Sequence, residues 1–339
     1  MSADTMTIAR CAAGRRATKR ISLSADGLPQ IEGYDAGRFI SAISVSVDGP
    51  GSLRGVLDQV ARNPRDFVLR GELLPDIDAR RCRRLLYAYH EDDGSVTPPT
   101  FREVPRHWVI IDFDNVPTRP DVDPCDGAAA ATYCRSLLPE AWGQASCWWG
   151  LSSSAGFKPG VRIKLGFWLV RAVLGREIER HLKGCPIDAS TLRAVQPIYI
   201  ARPILVGVPD PIRQRTGALL DGADAVELPE LPPEESRTTD THSADGRRYV
   251  SGDDAGHAER RLAGLCEAVE RARVGERHRC LIWAAARAIE LDDAIPRAAI
   301  AAELVAAAQR AGLDDHEADL ARQVRNGFRI GIFGSAGAA

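Results

Sequence analysis

The chain has 339 residues, 45% of them hydrophobic and 27% charged, and its 44 lysines and arginines nearly balance its 46 aspartates and glutamates for a net charge of -2. That composition excludes a disordered, fibrous or disulfide-dense chain, and the near-neutral balance excludes nucleic-acid binding by bulk charge alone. No apolar run approaches the ~20 residues of a membrane span, and the arginine-bearing N-terminus lacks the apolar block of a signal peptide, so a cytoplasmic protein with no membrane partner is expected.

In chain order, roughly the first 20 residues read as loose, after which Arg20 to Leu23 and Phe39 to Val47 read as strands and Ser52 to Arg62 as a helix. Phe67 to Leu73 is a further strand, and Asp76 to Tyr89 a helix carrying Arg80, Arg81, Arg83 and Arg84. A second basic group, Arg15, Arg16, Lys19 and Arg20, lies in the N-terminal stretch, and either group could line phosphates. The apolar, β-branched run Val109-Ile110-Ile111 between Pro105 and Pro117 predicts a short strand buried on both faces. Ala128 to Leu138 follows as a helix, Ser146 to Leu151 and Arg162 to Val170 as strands, and Arg176 to Lys183 as a helix. Strands interrupted by helices indicate an α/β domain over 1–225.

The segment 226–250, which contains Glu-Leu-Pro-Glu-Leu-Pro-Pro-Glu-Glu-Ser, cannot bury much surface and reads as a linker. From 251 to 335 the period becomes helical. Leu262, Leu265, Cys266 and Val269 make one stripe, and Ile300, Leu304, Val305 and Ala308 another. Pro296 suits a first turn, and Asp314 with Glu317 suits a capping pair for a last helix through Leu320, Val324 and Phe328. A small all-helical C-terminal domain is therefore expected. The eight cysteines are scattered without C-x-x-C spacing, so reduced thiols and no structural zinc are expected. No G-x-x-x-x-G-K-[ST] phosphate loop occurs.

The chemistry gathers between 112 and 202. In a strand, Asp112 and Asp114 share one face while Phe113 turns away, and two acids on one face suit a divalent cation. The loop from Gly150 to Gly156 holds Ser152, Ser153 and Ser154, and the strand after it places Arg162 and Lys164 on one face. Paired cations beside a serine loop suit a triphosphate. Asp188 is the third acid, opening a loop through Gln196, Pro197, Tyr199, Arg202 and Pro203. Three carboxylates can hold two magnesium or manganese ions, which stabilise the attacking and leaving oxygens when nucleotides are joined.

A lone D-x-D is weak, but this order of acid pair, serine loop with cationic strand, and third acid before an Arg-Pro segment resembles the archaeo-eukaryotic primase superfamily. It is most similar to the primase-polymerases of phages, plasmids and integrated elements. The motifs cover roughly 100 to 210, and the tail from Gly275 to Phe328 looks like the helical domain that follows such modules. The resemblance implies an α/β (α+β) primase-type catalytic core with an RNA-recognition-like sheet. It also implies a primase-polymerase acting by two-metal nucleotidyl transfer with Mg²⁺ or Mn²⁺. Its partners would be a single-stranded DNA template, ribo- or deoxyribonucleoside triphosphates and a separate replicative helicase.

By that resemblance Asp112, Asp114 and Asp188 are catalytic metal ligands, and Ser153 and Ser154 match the second motif, with Arg162, Lys164 and Arg202 beside them on the nucleotide. Arg80, Arg81, Arg83 and Arg84 with Gln196 and Tyr199 are the candidate template contacts. One departure stands out: where the family carries a histidine on the strand after the serine loop, this chain has Lys164. Ile187 likewise stands where many relatives have histidine. A rival reading takes Asp112-Phe113-Asp114-Asn115-Val116 as a haloacid-dehalogenase-type phosphatase motif with Asp112 as nucleophile and Gly252-Asp253-Asp254 as the later acidic pair. Another is a non-catalytic replication-initiator that binds DNA. Without the neighbouring motifs, the acids could be loop caps, the serines a polar turn and the cations an edge-strand face, while Trp148, Trp149 and Trp168 read as core.

Overall fold

A computed structural model describes residues 4–90, 95–229, 231, 254–273, 276–292, 294–313 and 317–336. The chain forms two compact units, Met1–Glu234 and Glu235–Ala339.

The first unit is mixed α/β. Its first sheet has three antiparallel strands in the order β4-β1-β5: β1 (Asp4–Cys11), β4 (Ile40–Val47) and β5 (Asp66–Leu69). The N-terminus is therefore not loose but supplies the central strand. Met6, Ile8 and Ala9 are buried, Asp4 accepts from Arg106 at 2.9 Å and from the His107 backbone N–H at 2.6 Å, and Trp108 Nε1 donates to the Thr5 carbonyl. Interleaved threonines and an arginine weaken the strand's apolar pattern, and pairing with distant segments decides its conformation.

A second small sheet joins β2 (Arg20–Leu23) to β3 (Pro29–Glu32) antiparallel and to β13 (Ile204–Val206) parallel. Two ribbons pair β6 (Glu72–Leu73) with β9 (Phe101–Arg102) and β7 (Tyr89–His90) with β8 (Val96–Thr97). The expected helix over Asp76 to Tyr89 does not form. Its backbone bonds outward instead, with Ile40 and Cys82 exchanging both bonds at 2.9 and 2.8 Å and Ala42 N–H reaching the Ala79 carbonyl. A segment whose amides are taken up by a neighbouring strand cannot also close helical turns.

The main sheet runs β10-β12-β11-β14, antiparallel throughout: β10 (Arg106–Val116), β11 (Cys147–Leu151), β12 (Val161–Val173) and β14 (Thr216–Leu219). Side chains alternate across it. Val109, Ile111 and Phe113, with Ile163, Leu165 and Phe167, face α2 (Gly127–Ser136) and α3 (Glu140–Gly143). Trp108, Ile110, Trp148 and Trp168 face the other way and form a second core with Leu53, Leu57 and Val60 of α1 (Pro50–Arg62) and with Met6 and Ile8 of β1. The close approach of α1 needs Gly166, where an added Cβ would lie 2.9 Å from Leu57 Cδ1. The three tryptophans are core, as their neighbours in sequence suggested. α4 (Gly175–His181) follows β12, and at the head of the expected linker Val226 and Leu228 are still packed in the core between the sheet and α2, the rest of 226–250 except 227, 229 and 231 lying outside the described residues.

The second unit is helical: α5 (Asp254–Glu270), α6 (Arg277–Ala288), α7 (Arg297–Arg310) and α8 (Glu317–Ala336). The stripes converge on one core, with Leu262, Cys266 and Val269 packed near Ile300, Leu304, Val305, Leu320 and Val324. Pro296 immediately precedes α7, and Asp314 lies outside the described residues. Among the described residues no helix is long and apolar enough to cross a membrane.

Candidate functional site

The two faces predicted for β10 and β12 meet. Asp112 stands directly opposite Lys164 in the strand register, and Lys164 Nζ lies 2.8 Å from Asp112 Oδ2. One step along, the Arg162 guanidinium bonds Asp114. Alternation put each pair on one face, and antiparallel pairing turned the two faces into opposed charges across one ladder.

The ladder breaks at this point. Phe113 pairs with Ile163 and Val116 with Val161, so Asp114 and Asn115 together oppose the single residue Arg162. Such a bulge bends the strand and re-aims its side chains. Asn115 takes φ 62°, a left-handed conformation that asparagine tolerates better than most residues. Gly160 (φ 75°) lies against it, and a Cβ there would come within 2.7 Å of Asn115 Oδ1. The result is that Asp112 stays nearly enclosed, with its side chain 13% exposed, while Asp114 turns out to 63%.

Asp188 joins through the backbone, its N–H donating to the Asp112 carbonyl at 2.8 Å. Its side chain is exposed and caps the short 3₁₀ turn Ala189–Leu192 by accepting from Ser190 N–H at 2.9 Å. The acids feel each other. Burial pushes the Asp112 carboxyl up, Lys164 pulls against that, and Asp188 and Asp114 add repulsion. Burial works against the Lys164 ammonium, but Asp112, with Tyr34 and Asp114, holds it above its ordinary value.

The serine loop is braced from below. Buried Arg215 donates to the carbonyls of Ser152 and Ala155 and is itself held by Asp210 through two 2.7 Å bonds. Ser152 Oγ lies 3.3 Å from Lys164 Nζ, and Ser153 Oγ is buried with no hydrogen-bond partner among the described residues. Ser154 Oγ accepts from Lys19 Nζ at 3.0 Å.

Lys19 is the residue that sequence reasoning left as one member of a basic group. It reaches the site because Thr18 bonds the carbonyls of Ala201 and Arg202, and because β2 lies parallel to β13. Burial lowers its pKa first, and Lys158, Lys164 and Arg162 lower it further, while Asp114 opposes them. It also lies 5.2 Å over the Tyr34 ring, which stacks on Tyr199 at 4.1 Å. A signal was present: of 44 basic residues only Lys19, Lys158, Lys164 and Lys183 are lysines, and three of those four converge here.

The other predicted residues lie around this centre or apart from it. Arg202 is exposed and its charge acts on Asp210. Tyr199 is committed to its stack on Tyr34, and burial pushes its phenol up to about 12. Gln196 is half-buried in the turn after Arg193. The four arginines do not share one helix face: Arg80 is exposed, Arg81 packs on Phe39, Arg83 on Tyr89, and Arg84 donates to the Val195 carbonyl.

Oxygen donors of this kind suit magnesium or manganese. Among the described residues, however, no three His, Cys, Asp or Glu side chains are arranged to hold a metal ion. Asp114 and Asp188 are exposed, Asp114 being bonded to Arg162, whereas among the described residues Asp112 Oδ1 is buried without a partner and Oδ2 is taken by Lys164. The eight cysteines stand as free thiols. No protein-family model, curated protein or solved structure matches this chain.

Proposed function

We propose that the chain is a nucleotidyltransferase of the primase type, joining nucleotides on a single-stranded DNA template. The observation that carries the reading is the charge ladder across β10 and β12, where Asp112 and Asp114 face Lys164 and Arg162, with Lys19 and Lys158 drawn to the same end. A surplus of cations beside a braced serine loop is what a nucleoside triphosphate needs, because its charge must be neutralised without water. The antiparallel sheet with α2 and α3 on one face and the charged ladder on the other supports the finer reading of an RNA-recognition-like core.

In this scheme Arg162 and Lys19 contact the phosphates, and Lys158 is exposed where an incoming nucleotide arrives. Ser153 Oγ and Ser154 Oγ offer hydroxyl donors to phosphate oxygens. Asp114 and Asp188 would hold Mg²⁺ or Mn²⁺, which when bound supplies Lewis-acid stabilisation of the transferring phosphoryl group. Lys19 and Ser154 are already hydrogen-bonded, so that the phosphate grip is ordered before substrate arrives.

The phosphatase reading fares worse. A nucleophilic Asp112 must reach its substrate, yet one of its oxygens is buried and the other is held by Lys164. Of its proposed acidic pair, Asp253 lies outside the described residues. The initiator reading leaves the acids facing buried cations unexplained.

Incubating the protein with single-stranded template, Mg²⁺ or Mn²⁺ and labelled nucleotides should yield short template-dependent products. Asp114→Asn should lower the rate about a hundredfold or more while leaving the thermal midpoint near wild type, since Asp114 is mostly exposed. No product with either metal would refute the proposal.

A further inference from the structure

The Asp112–Lys164 pair sits where the expected two-ion centre would need Asp112 free. Lys164 is 4% exposed, its strand neighbours Ile163 and Leu165 are fully buried, and Ser152 Oγ is a second partner of its ammonium. A divalent ion at Asp112 would stand against that ammonium, because the unpartnered oxygen Oδ1 belongs to the same carboxylate that Lys164 holds through Oδ2. The ammonium is buried, and the next carboxylate along the ladder, Asp114, is already bonded to Arg162. Leaving a buried charge without its partner costs far more than the pair itself contributes, so displacement is unfavourable even for a strongly charged competitor.

We propose that Lys164 is the permanent counter-ion of Asp112 and takes the place of one of the two divalent cations, so that the centre loads at most one ion. The inference rests on the reading of this face as a nucleotide centre. The same observation accounts for a lysine at the position where a histidine was expected. A neutral imidazole can leave a carboxylate free for metal, whereas an ammonium cannot.

The test counts Mn²⁺ bound to the full chain by electron paramagnetic resonance titration, with no nucleotide or template present. Wild type should bind one ion or fewer, and Asp112→Asn should leave its Mn²⁺ affinity within about twofold. Lys164→Met, which frees Asp112, should tighten Mn²⁺ binding or add an ion by about tenfold in affinity, and the double variant with Asp112→Asn should lose that gain. Two ions in wild type, a tenfold or greater loss in Asp112→Asn, or a folded Lys164→Met with no gain would overturn the proposal. Should Lys164→Met fail to fold, Lys164→Gln takes its place, and a folded Lys164→Gln with no gain in Mn²⁺ binding overturns the proposal. A protein that makes no primers yet shows this pattern keeps the inference and loses the function, and an active protein that binds two ions does the reverse.

Discussion

Asp112 and Lys164 are opposite charges withdrawn from water, and breaking such a pair is asymmetric. Asp112→Ala strands a buried ammonium and should cost about 3–5 kcal/mol in denaturant unfolding, whereas Asp112→Asn with Lys164→Met, which removes both charges, should recover most of that. Equal destabilisation by the single and double changes would mean that the pair is not coupled. Lys19 gives a pH signature. Burial and the neighbouring cations lower its pKa, so affinity for inorganic triphosphate should fall, as pH rises, before an ordinary lysine loses its charge. Lys19→Arg should move that fall upward, which a binding titration across alkaline pH would record. Stability should run the other way: a base whose folded pKa is lowered binds its proton more tightly when unfolded, so its contribution grows as pH rises through the window between the lowered and ordinary values. At this scale the sequence was informative where strand alternation applies. Asp112 with Asp114 and Arg162 with Lys164 were each assigned to one face, but that the two faces pair, and that Lys19 joins them, depends on contacts between residues distant in the chain.

Among elements, β10 carries most of the specificity of the site. Its bulge at Asp114–Asn115 separates an enclosed acid from an exposed one, and Asn115 holds a backbone angle that a β-branched residue resists. Asn115→Val should destabilise the chain by about 1–2 kcal/mol and impair nucleotide binding, while Asn115→Gly should be near neutral in stability. Thermal melts of the two variants measure this, and equal effects would show that the bulge does not depend on the left-handed residue. The bulge was not legible in the sequence, because no local signal separates Asp-Asn inside a strand from Asp-Asn in the following turn. Long apolar or strongly periodic elements were legible, as Pro50–Arg62, Cys147–Leu151 and the stripes of α5 and α7 show. β1 and the segment 76–89 were not. β1 mixes threonine and arginine into its pattern, and the second segment is arginine-rich and helix-compatible until Ile40 and Ala42 take its backbone bonds.

For the whole molecule, the division into an α/β unit and a helical unit follows from where periodicity changes from two to 3.6, with a proline- and glutamate-rich stretch between. Net charge is less informative, since -2 over the chain hides a local concentration of cations at one end of one sheet. The choice of lysine over arginine at that end is the feature that ties composition to the site. Titration of a fluorescent nucleoside triphosphate into the full chain tests this most directly. The account predicts saturable binding to one site, weakened about tenfold or more by Lys19→Gln and unchanged by Lys183→Gln, the one lysine outside the cluster. Absence of binding, or equal affinities for wild type and Lys19→Gln, would contradict it.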